Sequence, residues 1–110
     1  MANIDPISID QGSTFEKSWI FRNADLSFFD FTGYIIRAQL RSEHNANLAA
    51  NFGAEFSDPS NGQFKIVLTA TGSAGLAPGN FVYDVKVDNL SGSILRLVEG
   101  PVELRPEVTR

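Results

Sequence analysis

Thirteen Asp and Glu, a single His and no Cys are this chain's stock of residues for proton transfer, metal binding or thiol chemistry. Paired carboxylates carry the most chemical potential, because two of them flanking a glycosidic bond can serve as acid and as base or nucleophile. Their settings point elsewhere. Asp30 and Asp58 sit in turn contexts, while Asp84 and Asp88 alternate along the outward side of a strand-like stretch. No two acids are marked as jointly desolvated, which a working pair requires. His44 lies in a polar stretch beside Glu43 and Asn45. Metal sites and triads need several converging groups, so a surface histidine is expected there. The lack of Cys excludes disulfides, thiolate catalysis and thiolate metal sites. Asp58 to Gly62 lacks the ligand series of a calcium loop, and Gly72 to Gly75 is too short for a phosphate loop and has no Lys. We therefore expect no catalytic residues, no cofactor and no metal.

What must position these side chains is a series of strands and turns. Ile4 to Asp10 reads as a short edge strand, because Pro6 has no N–H to give to a ladder. Thr14 to Arg22 alternates, with Phe15, Trp19 and Phe21 on one side and Lys17 the break in that stripe. After a loop from Asn23 to Asp30, Tyr34 to Arg41 places Tyr34, Ile36, Ala38 and Leu40 on one side. A polar connection, Ser42 to Asn47, leads to Leu48 to Phe56, which reads as a half-exposed edge strand. Asp58 to Gly62 is a turn, and Gln63 to Ala70 is a strand with Phe64, Ile66 and Leu68 inward. Thr71 to Ala77 forms one helical turn capped by Thr71. Phe81 to Asp88 and Ile94 to Val98 make a hairpin around Gly92. Gly100 and Pro101 then break or bulge the sheet before Val102 to Leu104.

About seven strands at regular spacing, with no helical crossovers, predict an all-β fold. The expectation is one domain over residues 1–110, an immunoglobulin-like antiparallel β-sandwich. A net charge of -4 without a Lys/Arg cluster argues against nucleic acid and anionic membranes. No apolar run is long enough for a membrane span, and the N-terminus lacks the features of a signal peptide. A soluble protein made in a cytoplasm is expected.

A domain built this way acts through its surfaces, and two places stand out. Phe28, Phe29 and Phe31 crowd one loop; neighbours in an extended chain point opposite ways, so one plugs the sandwich end while Phe28 covers a rim or forms an exposed knob. The other place is an outer sheet face, if the strands at 34–41, 80–88 and 94–98 are neighbours. Its outward residues then include Ile35, Arg37, Arg41, Val82, Asp84, Ile94, Arg96 and Val98, with facing Arg and Asp rows. Mixed Arg and aliphatic surfaces suit an interface.

The segment Leu76-Ala-Pro-Gly-Asn-Phe-Val-Tyr-Asp-Val-Lys-Val87 resembles the Leu-x-x-Gly-x-Tyr-x-Tyr-Asp-Val stretch of immunoglobulin-like domains in phage structural proteins. The best comparison is the N-terminal domain of siphophage upper baseplate proteins. Asp10-Gln-Gly-Ser-Thr-Phe15, Asp30-Phe-Thr-Gly33 with the strand to Arg41, and Arg96-Leu-Val-Glu-Gly100 leading to Val108-Thr-Arg110 are similar too. Phe81 stands where a Tyr is common, which removes a tyrosine-corner hydroxyl from that position. With no fibre or receptor-binding stretch among these 110 residues, a small stand-alone virion component is expected rather than a full baseplate protein. The resemblance implies a non-catalytic structural module of the virion (tail, baseplate, neck or capsid-associated) that is homo-oligomeric, often trimeric, or docked on other virion proteins. Edge strands at Ile4–Asp10 and Leu48–Phe56 are candidates for strand addition. The rival reading is a small carbohydrate-binding module using Trp19 or the Phe28–Phe31 loop as a stacking platform. A small hydrolase lacks an assembled nucleophile or base.

Overall fold

Period-two stripes of apolar side chains are buried here by closing two sheets over each other, which the described residues do with eight strands, one short α-helix and one 3-10 turn at Pro59–Asn61. The computed structural model describes residues 3–42, 48–89 and 91–106; His44 with its polar connection, and Val108–Arg110, lie outside the described residues. The strands are β1 (Asn3–Ile4), β2 (Ile7–Asp10), β3 (Phe15–Ile20), β4 (Ile35–Arg41), β5 (Leu48–Asp58), β6 (Gln63–Leu68), β7 (Gly79–Asp88) and β8 (Ile94–Arg105). Helix α1 (Ala70–Ala74) joins β6 to β7.

The strand order is β1-β8-β7-β4-β5-β6-β3, with β2 continuing β1 along β8. This is the immunoglobulin-like β-sandwich. The first half of β5 pairs with β4 in one sheet, and its second half pairs with β6 in the other. The expected edge strand at Leu48–Phe56 is thus a strand that passes between sheets and gives each a short border. All pairings are antiparallel except the first: β1 and β2 run parallel to β8, from Asn3 opposite Val98 to Asp10 opposite Arg105. The two pieces are separated at Asp5 and Pro6, where proline cannot donate to the ladder.

Phe64, Ile66 and Leu68 of β6, Ala38 and Leu40 of β4, and Tyr83, Val85 and Val87 of β7 are buried, as the alternation requires. Three departures have local causes. The cap of α1 is Thr69, whose side chain accepts from the Gly72 amide at 3.0 Å, so the helix starts earlier than a Thr71 cap would place it. Strand β8 does not break at Gly100 and Pro101 but runs through them. A Cβ on Gly100 would lie 2.8 Å from the Asp5 carbonyl oxygen, so the first strand can pass this close only over a glycine. Between Val85 and Lys86 the β7–β8 register shifts, leaving Leu97 as an extra residue. Leu97 and Val98 are both buried in consequence, and Glu99 rather than Val98 lies on the outer face.

Candidate functional site

Strands β4, β7 and β8 are neighbours, so their outward side chains form rows across one face. From one end these are Ile35–Asp88–Ile94, then Arg37–Lys86–Arg96, then Gln39–Asp84–Glu99, then Arg41–Val82–Pro101. Arg37 therefore faces Lys86, not an acid, and the expected opposition of Arg and Asp rows is diagonal. Arg96 reaches across one row, with Nε 3.4 Å from Asp84 and Nη1 3.2 Å from Glu99. Arg41 donates to the Gln39 amide oxygen at 2.9 Å. Among the described residues neither Arg37 nor Lys86 meets a carboxylate. Like charges directly opposite each other on a sheet repel, so this row is a local cost to the fold. Its residues line a groove of about 460 Å³ together with Gln39, Arg41, Val82, Tyr83, Asp84 and Glu99. Ile35 and Ile94 stand exposed at its end, by 59% and 57%.

Of the residues singled out from the sequence, Ile35, Arg37, Arg41, Val82, Asp84, Ile94 and Arg96 come together here. Val98 does not, because the extra residue at Leu97 turns it inward. Lys86 and Glu99 complete the face. Lys86 is outward by simple alternation; Glu99 needed knowledge of the bulge, for which the sequence holds no signal.

The aromatic loop divides as chain geometry demands. Phe31 is fully buried and cannot touch a partner; it lies 5.1 Å from the ring of Phe56 and 4.6 Å from that of Phe29. Phe29 is half-buried against Phe21 and Tyr34. Phe28 is 45% exposed, with the Arg22 guanidinium 4.6 Å from its ring centre. At the loop tip, Leu26 is 72% exposed and adopts φ 70°, a conformation that side chains other than Gly, Asn and Asp rarely take. Hydrogen bonds from the Ser27 side chain and amide hold the Asp25 carboxyl below its ordinary value, and those from Thr32 do the same for Asp30. Both acids are therefore anionic at neutral pH.

Behind the face lies a polar node that explains the break in the β3 stripe. The Asp5 carboxylate accepts from Trp19 Nε1 at 2.7 Å and from Lys17 Nζ at 2.9 Å, while the Asp5 carbonyl accepts from the Tyr83 hydroxyl at 2.7 Å. Lys17 points inward because its partner sits in the break between β1 and β2, along the edge of the opposite sheet. Burial pushes the Asp5 carboxyl up, but hydrogen bonds from Lys17 and Trp19 and the Lys17 charge outweigh it, leaving the group below its ordinary value. Burial, and then the Asp5 charge, push the Tyr83 hydroxyl well above the usual tyrosine range. Trp19 is stacked at 5.4 Å on Phe64 and 6.5 Å from Tyr83, so it is a packing residue rather than a free platform.

No protein-family model matches the chain, and no curated protein matches it. Among solved structures it is similar to CopC from Methylosinus trichosporium OB3b, with 12% identity over 99% of this chain and 88% of that one, at a TM-score of 0.48. A family 123 glycoside hydrolase from Clostridium perfringens matches at 13% identity and a TM-score of 0.46; the chain spans 24% of that enzyme's length and 98% of its own. Murine CRIg matches at 10% identity over 94% of this chain and 92% of that one, with a TM-score of 0.41. At such scores none of their activities transfers to this chain.

Proposed function

We propose that this protein is a non-catalytic structural component of a phage virion, working by burial of the β4–β7–β8 outer face against a neighbouring subunit. The observation that carries the assembly part is that Arg37 and Lys86, opposite each other in a groove near exposed Ile35 and Ile94, meet no carboxylate among the described residues. A repulsive row is retained at a cost to the lone domain, and a partner that brings anionic groups relieves it. The virion part rests on the resemblance of the segments around Leu76–Val87 to phage structural domains. The acids support a non-catalytic reading, since the most suggestive ones have structural work: Asp84 and Glu99 pair with Arg96, Asp58 accepts from Ser60 and Asn61, and Asp5 braces the two sheets.

The test is solution mass across concentration, together with capture of virion proteins from a phage lysate by wild type and by the Arg37→Glu, Lys86→Glu double variant. Self-association or virion capture that the double variant loses supports the reading. A wild type that stays monomeric and captures no virion protein overturns it.

A further inference from the structure

We propose that the Asn23–Asp30 loop of one copy of this chain enters the basic groove of the next copy, making a head-to-tail contact that repeats. The inference rests on the assembly reading above and names its partner. The groove asks for a convex occupant with negative charge: its own acids, Asp84 and Glu99, are both taken by Arg96, which leaves Arg37 and Lys86 facing each other across a concave surface with no carboxylate among the described residues. The loop has both properties. Asp25 and Asp30 stay ionised, and between them Leu26 and Phe28 are turned to solvent.

The loop is also already folded for docking. The Asn23 amide donates to the Ser27 carbonyl at 2.9 Å, the Asn23 side chain to Ser27 Oγ at 3.0 Å, and Arg22 covers one side of Phe28. A preorganised loop loses little freedom on binding. In the contact, Leu26 and Phe28 lie on Val82 and on the aliphatic stems of the arginines, while Asp25 and Asp30 meet Arg37 and Lys86. Face-to-face pairing of two grooves would also place acids over cations, but it would trap two concavities against each other. The loop fills the groove instead. Because loop and groove are different patches, the contact is heterologous and closes as a ring or runs on as a filament.

Sedimentation velocity on two variants and their mixture tests this. One variant damages the loop (Asp25→Arg with Leu26→Ser) and the other the groove (Arg37→Glu with Lys86→Glu). Each alone should be monomeric where wild type assembles. An equimolar mixture should form a heterodimer and nothing larger, because only one loop–groove contact can be restored. A mixture that stays monomeric, as a contact made elsewhere on the chain would give, overturns the proposal while leaving the assembly reading standing, and so does a loop variant that still dimerises alone, as face-to-face pairing of two grooves would give. So does a variant that assembles like wild type. A wild type that is monomeric at every concentration overturns this proposal outright. Should a double variant fail to fold, Lys86→Ala should still weaken self-association by about ten-fold; unchanged association would count against the contact.

Discussion

Replacing Asp5 with Ala removes the acceptor for Trp19 Nε1 and the partner of Lys17, and leaves the carbonyl that receives the Tyr83 hydroxyl. Hydrogen bonds to a charged group contribute about 1.5–3 kcal/mol each. Asp5 and Lys17 keep 30% and 35% of their side-chain surface, so solvent discounts the ion pair toward the surface range of up to about 1 kcal/mol. Together the loss is about 2 kcal/mol, or about 10 °C in melting temperature for a domain of this size. Trp19 is the only tryptophan, so urea unfolding followed by its fluorescence reads the node directly. Asp5→Asn keeps an acceptor oxygen without the charge and should lose about half as much.

The pH dependence supplies a second check. The folded Asp5 carboxyl titrates below the unfolded one, so its contribution is complete above about pH 4 and fades as pH falls through the folded value. The difference between wild type and Asp5→Ala should be level from about pH 7 to 5, then shrink toward the worth of a neutral hydrogen bond. No difference at neutral pH, or one undiminished at about pH 2, would refute the reasoning.

Phe31→Ala should cost about 3–5 kcal/mol in chemical unfolding, because it empties the centre of the aromatic cluster. Phe28→Ala should stay within about 0.5 kcal/mol of wild type, its ring being at the rim. Gly62→Ala should lower stability by about 2 kcal/mol or more, since the residue sits at φ 72° and a Cβ would collide with the Phe21 carbonyl oxygen. Tyr83→Phe should cost about 1 kcal/mol. Alkaline difference spectra should find the Tyr83 hydroxyl still protonated at pH 11 while the domain is folded. Its raised folded value means that its stabilising contribution, present below about pH 10, is lost as pH rises further.

Alternation alone marked the buried side of β4, β6 and β7, because a side-chain period of two leaves only one face for Ala38, Ile66 or Val85. It could not see what one inserted residue does. Leu97 carries no mark of its own, yet it moves Val98 inside and Glu99 outside. Lys17 looked like a flaw in its stripe because its partner Asp5, between β1 and β2, belongs to the edge of the other sheet. The face residues were legible as a set, but not their register. Which side chain stands opposite Arg37 depends on where the hairpin ladders settle, and that put Lys86 there rather than an acid. The division of Phe28 from Phe31 followed from extended-chain geometry, whereas the left-handed turn at Leu26 had no residue to announce it.

The parallel seating of the first strand on β8 has a mechanical meaning. Force that enters at Asn3 and leaves at Arg105 drags the two strands lengthwise in opposite directions, so the ladder from Asn3–Val98 to Asp10–Arg105 is loaded in shear. Its hydrogen bonds must then give way together instead of unzipping one by one, and the Tyr83 and Trp19 anchors on Asp5 sit midway along that seam.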